Sequence, residues 1–234
     1  MKVVILAGGH GTRISELTKE IPKPMIRIGD KPILWHLMKI YSQYKIDDFI
    51  ICVGYKGEII KEYFQEISEP WNIQLVDTGL HTMTGGRIKK IKKYVENESF
   101  CLTYGDDLKA VDIGKLIYFH KQKKKLVTLT AAKPPGRYGI LKLEGDQVKE
   151  ITEKPPGDNN WINGGYYVLE PGIFDYICND TTVWEQEPLQ RLATENQISA
   201  YRYDGFYQPM DTFSDKTALE KLWDGGNPYW KIWK

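Results

Sequence analysis

Cysteine is scarce in this 234-residue chain. Cys52, Cys101 and Cys178 are few, odd in number and set in apolar surroundings, which suits buried, reduced thiols better than disulfides. Histidine is nearly as rare, at four, and no His/Cys spacing has the form of a structural metal site. No apolar run approaches the roughly 20 residues that a membrane span requires. The start lacks the charged-then-apolar pattern of a secretory leader, so the expectation is a soluble, cytoplasmic protein without a membrane partner. An excess of one charge is missing too: 32 basic against 31 acidic residues leave a net charge of +1, which gives no global field for nucleic acid or anionic lipid. The one basic cluster, Lys121 to Lys125 (KQKKK), has no interleaved aromatics and reads as the solvated end of a helix. Repeats, low-complexity tracts and Ser/Gly-rich linkers are likewise lacking, so a single unit over 1–234 is expected, its 41% hydrophobic content filling one core.

What the sequence does have is alternation. Lys2–Ala7, Asp48–Val53, Asn72–Asp77, Ser99–Tyr104 and Leu126–Ala131 read as strands, and Pro32–Tyr44, Gly57–Glu66 and Asp112–Lys124 as helices. This order predicts an α/β fold, a mostly parallel central sheet flanked by helices. After Lys133-Pro134-Pro135-Gly136 come short strands near Ile140–Leu143, Gln147–Thr152 and Gly164–Leu169, and helices near Glu185–Glu195 and Ser214–Trp223. We expect two parts sharing one sheet, 1–132 and a small β-rich substrate-binding half over 133–234.

The first strand delivers the loop AGGHGTR. Three glycines in four positions suggest main-chain amides wrapping an anion, with Arg13 and Lys23 adding full positive charge. Two familiar phosphate loops do not fit: GxGxxG fails because Thr12, Arg13 and Ile14 follow Gly11, and GxxxxGK[ST] fails because Arg13 follows the four spacers. Ligands of open α/β sheets bind beyond the carboxyl ends of the strands. That rule gathers AGGHGTR, the stretch Asp77–Arg87 and the Gly105-Asp106-Asp107 turn around one crevice. Read alone, Asp106 fits a magnesium ligand and a cap or turn residue about equally, and Asp107 fits the cap better. Trp184, Phe206 and Tyr207 read as core aromatics.

The stretches LAGGHGTR, PKPM, YGDD, EKP (Glu153–Pro155), INGG (Ile162–Gly165) and QPMDT (Gln208–Thr212), in this order, resemble the sugar-1-phosphate nucleotidyltransferase family. GDKPILWH, FIICVGYKG, LVDTG, MTGGR, WEQEPL and GFYQPMDT are similar to its cytidylyltransferase branch. The resemblance implies a Rossmann-like nucleotidyltransferase fold and an enzyme that joins CTP to a sugar 1-phosphate, with glucose 1-phosphate the first expectation, Mg2+ as cofactor and a homo-oligomer as assembly. It assigns Leu6, Ala7, Gly8, Gly9, Gly11, Thr12 and Arg13 to the nucleotide. By the same resemblance Lys23 would bridge the phosphates of both substrates, Arg13 and Lys23 would act in catalysis, and Asp106 and Asp211 would hold magnesium. It places Tyr138, Gly139, Glu153, Lys154, Asn163 and Gly164 in the sugar-phosphate pocket, with nucleotide-binding Lys23 and Asp106 beside it and Glu187 on the sugar hydroxyls. For the base, Thr84, Gly85, Gly86 and Arg87 are the candidates, the last three reading equally as the turn that starts a helix.

Two rivals remain: transfer to a non-sugar phosphate monoester, and a non-catalytic nucleotide-sensing subunit. The second should have lost one of Arg13, Lys23, Asp106, Lys154 or Asp211, and all five are present. Only Gln65–Ser68 lie between KEYF and EPWN, where members of that branch carry a longer polar insertion. The fold should survive this shortening, while the assembly is expected to differ.

Overall fold

Within the expected run Lys2–Ala7, Val3–Leu6 forms a strand buried on both faces. In the computed structural model, which describes residues 1–134, 140–152 and 160–233, Val3 and Ile5 of β1 (Val3–Leu6) enter one core cluster and Val4 and Leu6 the other. The chain continues through α1 (Ser15–Thr18), the ribbon β2 (Arg27–Ile28) and β3 (Lys31–Pro32), α2 (Ile33–Ser42), β4 (Asp48–Val53), α3 (Gly57–Glu66), β5 (Asn72–Asp77), α4 (Thr84–Lys90), α5 (Lys92–Val95), β6 (Phe100–Tyr104), β7 (Asp107–Lys109), α6 (Ile113–Lys123) and β8 (Val127–Ala132). There follow β9 (Ile140–Glu144), β10 (Gln147–Thr152), β11 (Ile162–Asn163), β12 (Tyr167–Leu169), α7 (Glu187–Thr194), β13 (Ile198–Tyr203), β14 (Tyr207–Pro209) and α8 (Phe213–Asp224).

The main sheet has the order β11-β8-β12-β6-β1-β4-β5, and β13 pairs with the opposite edge of β8. Its centre is parallel: Val3 lies opposite Phe49 of β4 and Cys101 of β6. β12 runs antiparallel between β6 and β8. Helices cover both faces, α2, α6 and α8 through Leu37, Leu116 and Leu219 on one, α4, α5 and α7 through Ile88, Val95 and Leu192 on the other. Hydrophobic burial on both faces is what makes the central strands β1 and β4 read as continuous apolar runs, whereas the edge strand β5 (NIQLVD) is half-exposed and mixed in polarity.

Some expectations need correction. Cys178 is exposed, whereas Cys52 and Cys101 are buried, and burial pushes both of their thiols up to about 12. Gly164–Leu169 is not one strand, because Gly165 (φ 68°) and Tyr166 (φ 44°) take left-handed conformations and break the ladder between β11 and β12. The helix expected from Glu185 begins at Glu187. β13 and the pair β7 and β14 were not expected at all.

The C-terminal residues dock onto α2 around His36, which is fully buried. The indole of Trp230 donates to its Nδ1 at 3.4 Å, so Nε2 carries the proton and donates to the Ile28 carbonyl at 2.9 Å. The ring is satisfied as a neutral imidazole, and burial lowers its pKa to about 4. Since that lies below the unfolded value near 6.5, the stabilisation is complete above pH 6.5 and is lost as pH falls through 4, about 3 kcal/mol in all. Urea unfolding between pH 7 and 4 is expected to steepen by one proton's worth of pH dependence, which His36→Phe removes. An unchanged slope in the variant would show that His36 does not supply it.

Candidate active site

The loops at the carboxyl ends of β1, β5 and β6 surround a cavity of about 890 Å³. It is lined by Leu6 to Arg13, Lys23, Asp106 and Asp211, and by Asn163, Gly165, Glu185 and Tyr207 from the second half. Its size suits a nucleotide-sized ligand.

The three loop glycines have three different causes. Gly8 is set by the protein itself: a Cβ there would lie 2.1 Å from the Arg87 guanidinium. Gly11 has φ 65°, and a Cβ would press on Thr18 at 2.8 Å. Only Gly9 faces open space on the exposed side of the loop, where a ligand can touch the main chain. Arg87 bolts this loop to its neighbours, donating to the Gly8 carbonyl at 2.9 Å, Thr78 Oγ1 at 2.5 Å and the Val53 carbonyl at 3.3 Å.

Lys23 is buried and lies between two carboxylates, its Nζ 2.5 Å from Asp106 Oδ2 and 2.7 Å from Asp211 Oδ1. Arg13 Nη1 holds the other Asp211 oxygen at 2.6 Å. Burial alone would lower the Lys23 pKa, but Asp106 and Asp211 outweigh it and raise the pKa above its ordinary value. Prolines 22 and 24 fix the turn that aims this lysine. Asp211 reaches the site because β14 pairs with β7, Pro209 opposite Asp107, and the Met210 amide continues the ladder to the Asp106 carbonyl. The Asp215 carboxylate, in the capping box of α8, accepts from the Asp211 amide at 3.0 Å.

Behind this ribbon Lys109 is wholly buried, 2.5 Å from Asp107 Oδ1 and stacked over the Tyr166 and Tyr207 rings at 4.0 and 4.9 Å. Burial pushes the Asp107 carboxyl up against the opposing pull of Lys109. The cap expected at Asp107 is corrected: it opens β7 rather than a helix, and its carboxylate, paired with Lys109, lines the cavity beside Asp106.

Two carboxylates converging on one ammonium are a donor set that fits a divalent cation. Magnesium commonly takes one or two protein carboxylates and completes its shell with phosphate oxygens and water. Among the described residues no group of three or more His, Cys, Asp or Glu forms a cage, so substrate oxygens would have to supply the rest.

Elsewhere the structure rearranges the expected site. Thr84 and Arg87 line the cavity, but the Gly85 and Gly86 amides both donate to the Thr182 carbonyl, and a Cβ on either would strike the 180–182 turn. Their glycines serve this packing, so the expected use of their amides on a base is corrected. Glu187 is also corrected: it lies exposed on α7, 3.5 Å from Arg191. Glu185 takes the cavity position instead, accepting from Thr84 Oγ1 at 2.7 Å and from the Tyr104 hydroxyl. The sequence WEQEPL held the signal in Pro188, which places Glu187 inside the first turn and leaves Glu185 in the approach. Asn163 lines the cavity, its amide donating to the Tyr167 hydroxyl and its oxygen accepting from the Gly165 amide at 3.1 Å. Gly164 packs on Ala132. Trp184 is core and Phe206 stacks on Trp230, as expected, but Tyr207 reaches the cavity. Tyr138, Gly139, Glu153 and Lys154 lie outside the described residues.

Comparison with known proteins agrees with this geometry. The chain is 51% identical to a glucose-1-phosphate cytidylyltransferase of Salmonella typhi over 257 aligned residues, covering all of both chains. It is 42% identical to a probable glucose-1-phosphate cytidylyltransferase of Bacillus subtilis, again over the whole of both. Among solved structures, HddC from Yersinia pseudotuberculosis superposes with a TM-score of 0.76 at 26% identity, covering 95% of this chain and 99% of that one. The pattern described as nucleotidyl transferase matches residues 2–230, nearly the whole sequence that folds around the cavity, and the chain belongs to the nucleotidyl transferase family.

Proposed function

We propose that this enzyme transfers a cytidylyl group from CTP to glucose 1-phosphate, giving CDP-glucose and pyrophosphate. The observation that carries the reading is the meeting of Lys23 and Arg13 with Asp106 and Asp211 beside the glycine loop, in a chain 51% identical to a glucose-1-phosphate cytidylyltransferase. A phosphate monoester with a second pKa near ~6 is mostly dianionic at neutral pH, so the nucleophile needs no general base. Its oxygen attacks the α-phosphorus as the bond to the departing pyrophosphate breaks. Lys23 exchanges its carboxylate partners for phosphate oxygens and draws the two anions together, while Arg13 holds the charge that develops on pyrophosphate. Asp106 and Asp211 would hold Mg2+, whose chemistry is to neutralise phosphate charge. Thr12 and the exposed Gly9 main chain contact the triphosphate, and Asn163 and Glu185 offer polar groups for the sugar. Lys154 and Glu153 belong to the sugar phosphate by resemblance.

We further assign the chain to a single nucleotidyltransferase unit acting in the cytoplasm as a homo-oligomer; among the described residues no helix is long and apolar enough to cross a membrane. The direct test is pyrophosphate release across a panel of nucleoside triphosphates and phosphate monoesters. CTP is expected to exceed dTTP and UTP at least about tenfold in kcat/KM, because a site that hydrogen-bonds one base edge leaves its own groups unpaired with another. Equal use of dTTP would overturn the cytidylyl reading, and preference for a non-sugar phosphate would overturn glucose as acceptor.

A further inference from the structure

Arg13, Lys23, Asp106 and Asp211 gather on the β6 side of the cavity, where phosphate charge can be met. Toward β4 and β5 the wall has a different chemistry. His10, at the tip of the glycine loop, faces His81 in the loop after β5, their rings 6.3 Å apart and inclined by only 28°. Tyr55 stands beside His10 at 5.0 Å, fixed by its hydroxyl on the Thr18 carbonyl and its amide on the Gly8 carbonyl. Leu80 and Met83, next to His81, also line the cavity and remain 45% and 44% exposed. The two imidazoles already stack on each other within the usual centroid range of about 4.5–7 Å, and this ring pair together with the open apolar side chains of Leu80 and Met83 forms a surface against which a flat, aromatic ligand can lie. Nothing in the sequence reading or the proposed chemistry uses either imidazole.

We propose that His10 and His81 form the stacking platform for the nucleobase. The inference rests on the reading of the ligand as a nucleoside triphosphate, and it places that ligand in one direction. The triphosphate runs past the open face of Gly9 toward Arg13 and Lys23, and the base lies on the β4–β5 side against the imidazoles. This also answers the loss of Gly85 and Gly86 as base contacts, because the loop just before them, from Leu80 to Thr84, is what faces the ligand.

The test is steady-state kinetics and equilibrium nucleotide binding with His10→Ala, His81→Ala and the double variant. Both side chains are exposed, so the fold is expected to stand, as circular dichroism can verify. Loss of base stacking should raise KM and Kd for CTP on the order of tenfold or more, with kcat and the KM for glucose 1-phosphate changed less than about twofold. His81→Phe should restore most of the CTP affinity, because phenylalanine stacks but cannot replace a ring N–H. Unchanged CTP affinity in the double variant would overturn the platform, and so would rescue by His81→Gln but not by His81→Phe, which would make the contact a hydrogen bond. Stacking tolerates any base. If the parent enzyme prefers another nucleoside triphosphate, the cytidine reading fails while the platform is judged on that nucleotide by the same variants.

Discussion

Asp211→Asn is expected to lower turnover by about 10³-fold with the fold intact. The change keeps the shape of the side chain and removes one charge from the pair that would hold the divalent ion. The backbone there is secured independently, since Asp215 accepts from the Asp211 amide and caps α8. Arg13 and Lys23 lose one charged partner each, but Lys23 keeps Asp106 at 2.5 Å. Loss of one preorganised charge contact at a transition state typically costs 10²–10³ in rate, and a weakened cation site adds to that when magnesium is limiting. The measurement is pyrophosphate release against magnesium concentration. The variant should need more magnesium for half-maximal rate and remain slow at saturation. Near-parental turnover at limiting magnesium would rule out Asp211 as a ligand.

How much of this was legible in the sequence depended on how local the cause was. β1 and β4 announce themselves because strands buried on both faces are nearly unbroken apolar runs, and β6 and β8 because only threonines and a terminal tyrosine interrupt theirs. β7 and β14 do not: each has three residues, they lie a hundred positions apart, and their pairing is driven by the buried Lys109–Asp107 pair and the two tyrosine rings rather than by any periodicity. The sequence could name Asp106 and Asp211 by resemblance, but not the ladder that brings them together. Glycine was the least reliable guide. Gly8, Gly85 and Gly86 exist for contacts with Arg87, Thr182 and Asp180, which no local pattern encodes, and of the three glycines in the first loop it is Gly9 that has the open face a ligand requires. The two glutamates of WEQEPL show the same limit. Either could face the cavity until the helix start is fixed by Pro188. His10 and His81 carry no sequence signal of their own, because what relates them is a ring contact between two loops.

Lys23→Ala separates the catalytic role of this lysine from its role as a structural counter-ion. If Lys23 stabilises charge that develops between the two phosphates, its loss costs ~3 kcal/mol, on the order of 10² in kcat, with a small effect on either KM. The ion pairs predict a second, opposite change. In the free enzyme the ammonium stands between Asp106 and Asp211, so a divalent ion has to compete with it for both carboxylates. Removing Lys23 takes away the ammonium that both carboxylates share and leaves Arg13 paired with Asp211 alone of the two, which destabilises the metal-free protein and favours the cation. Metal affinity should therefore rise as turnover falls, and added magnesium should raise the Tm of the variant more than that of the parent. A lysine that merely held the fold together would lower stability with and without magnesium alike and would leave kcat of the surviving enzyme unchanged. Titration calorimetry with magnesium and single-turnover kinetics on the same preparation distinguish the two. Unchanged kcat with unchanged magnesium affinity would remove Lys23 from both the reaction and the cation site.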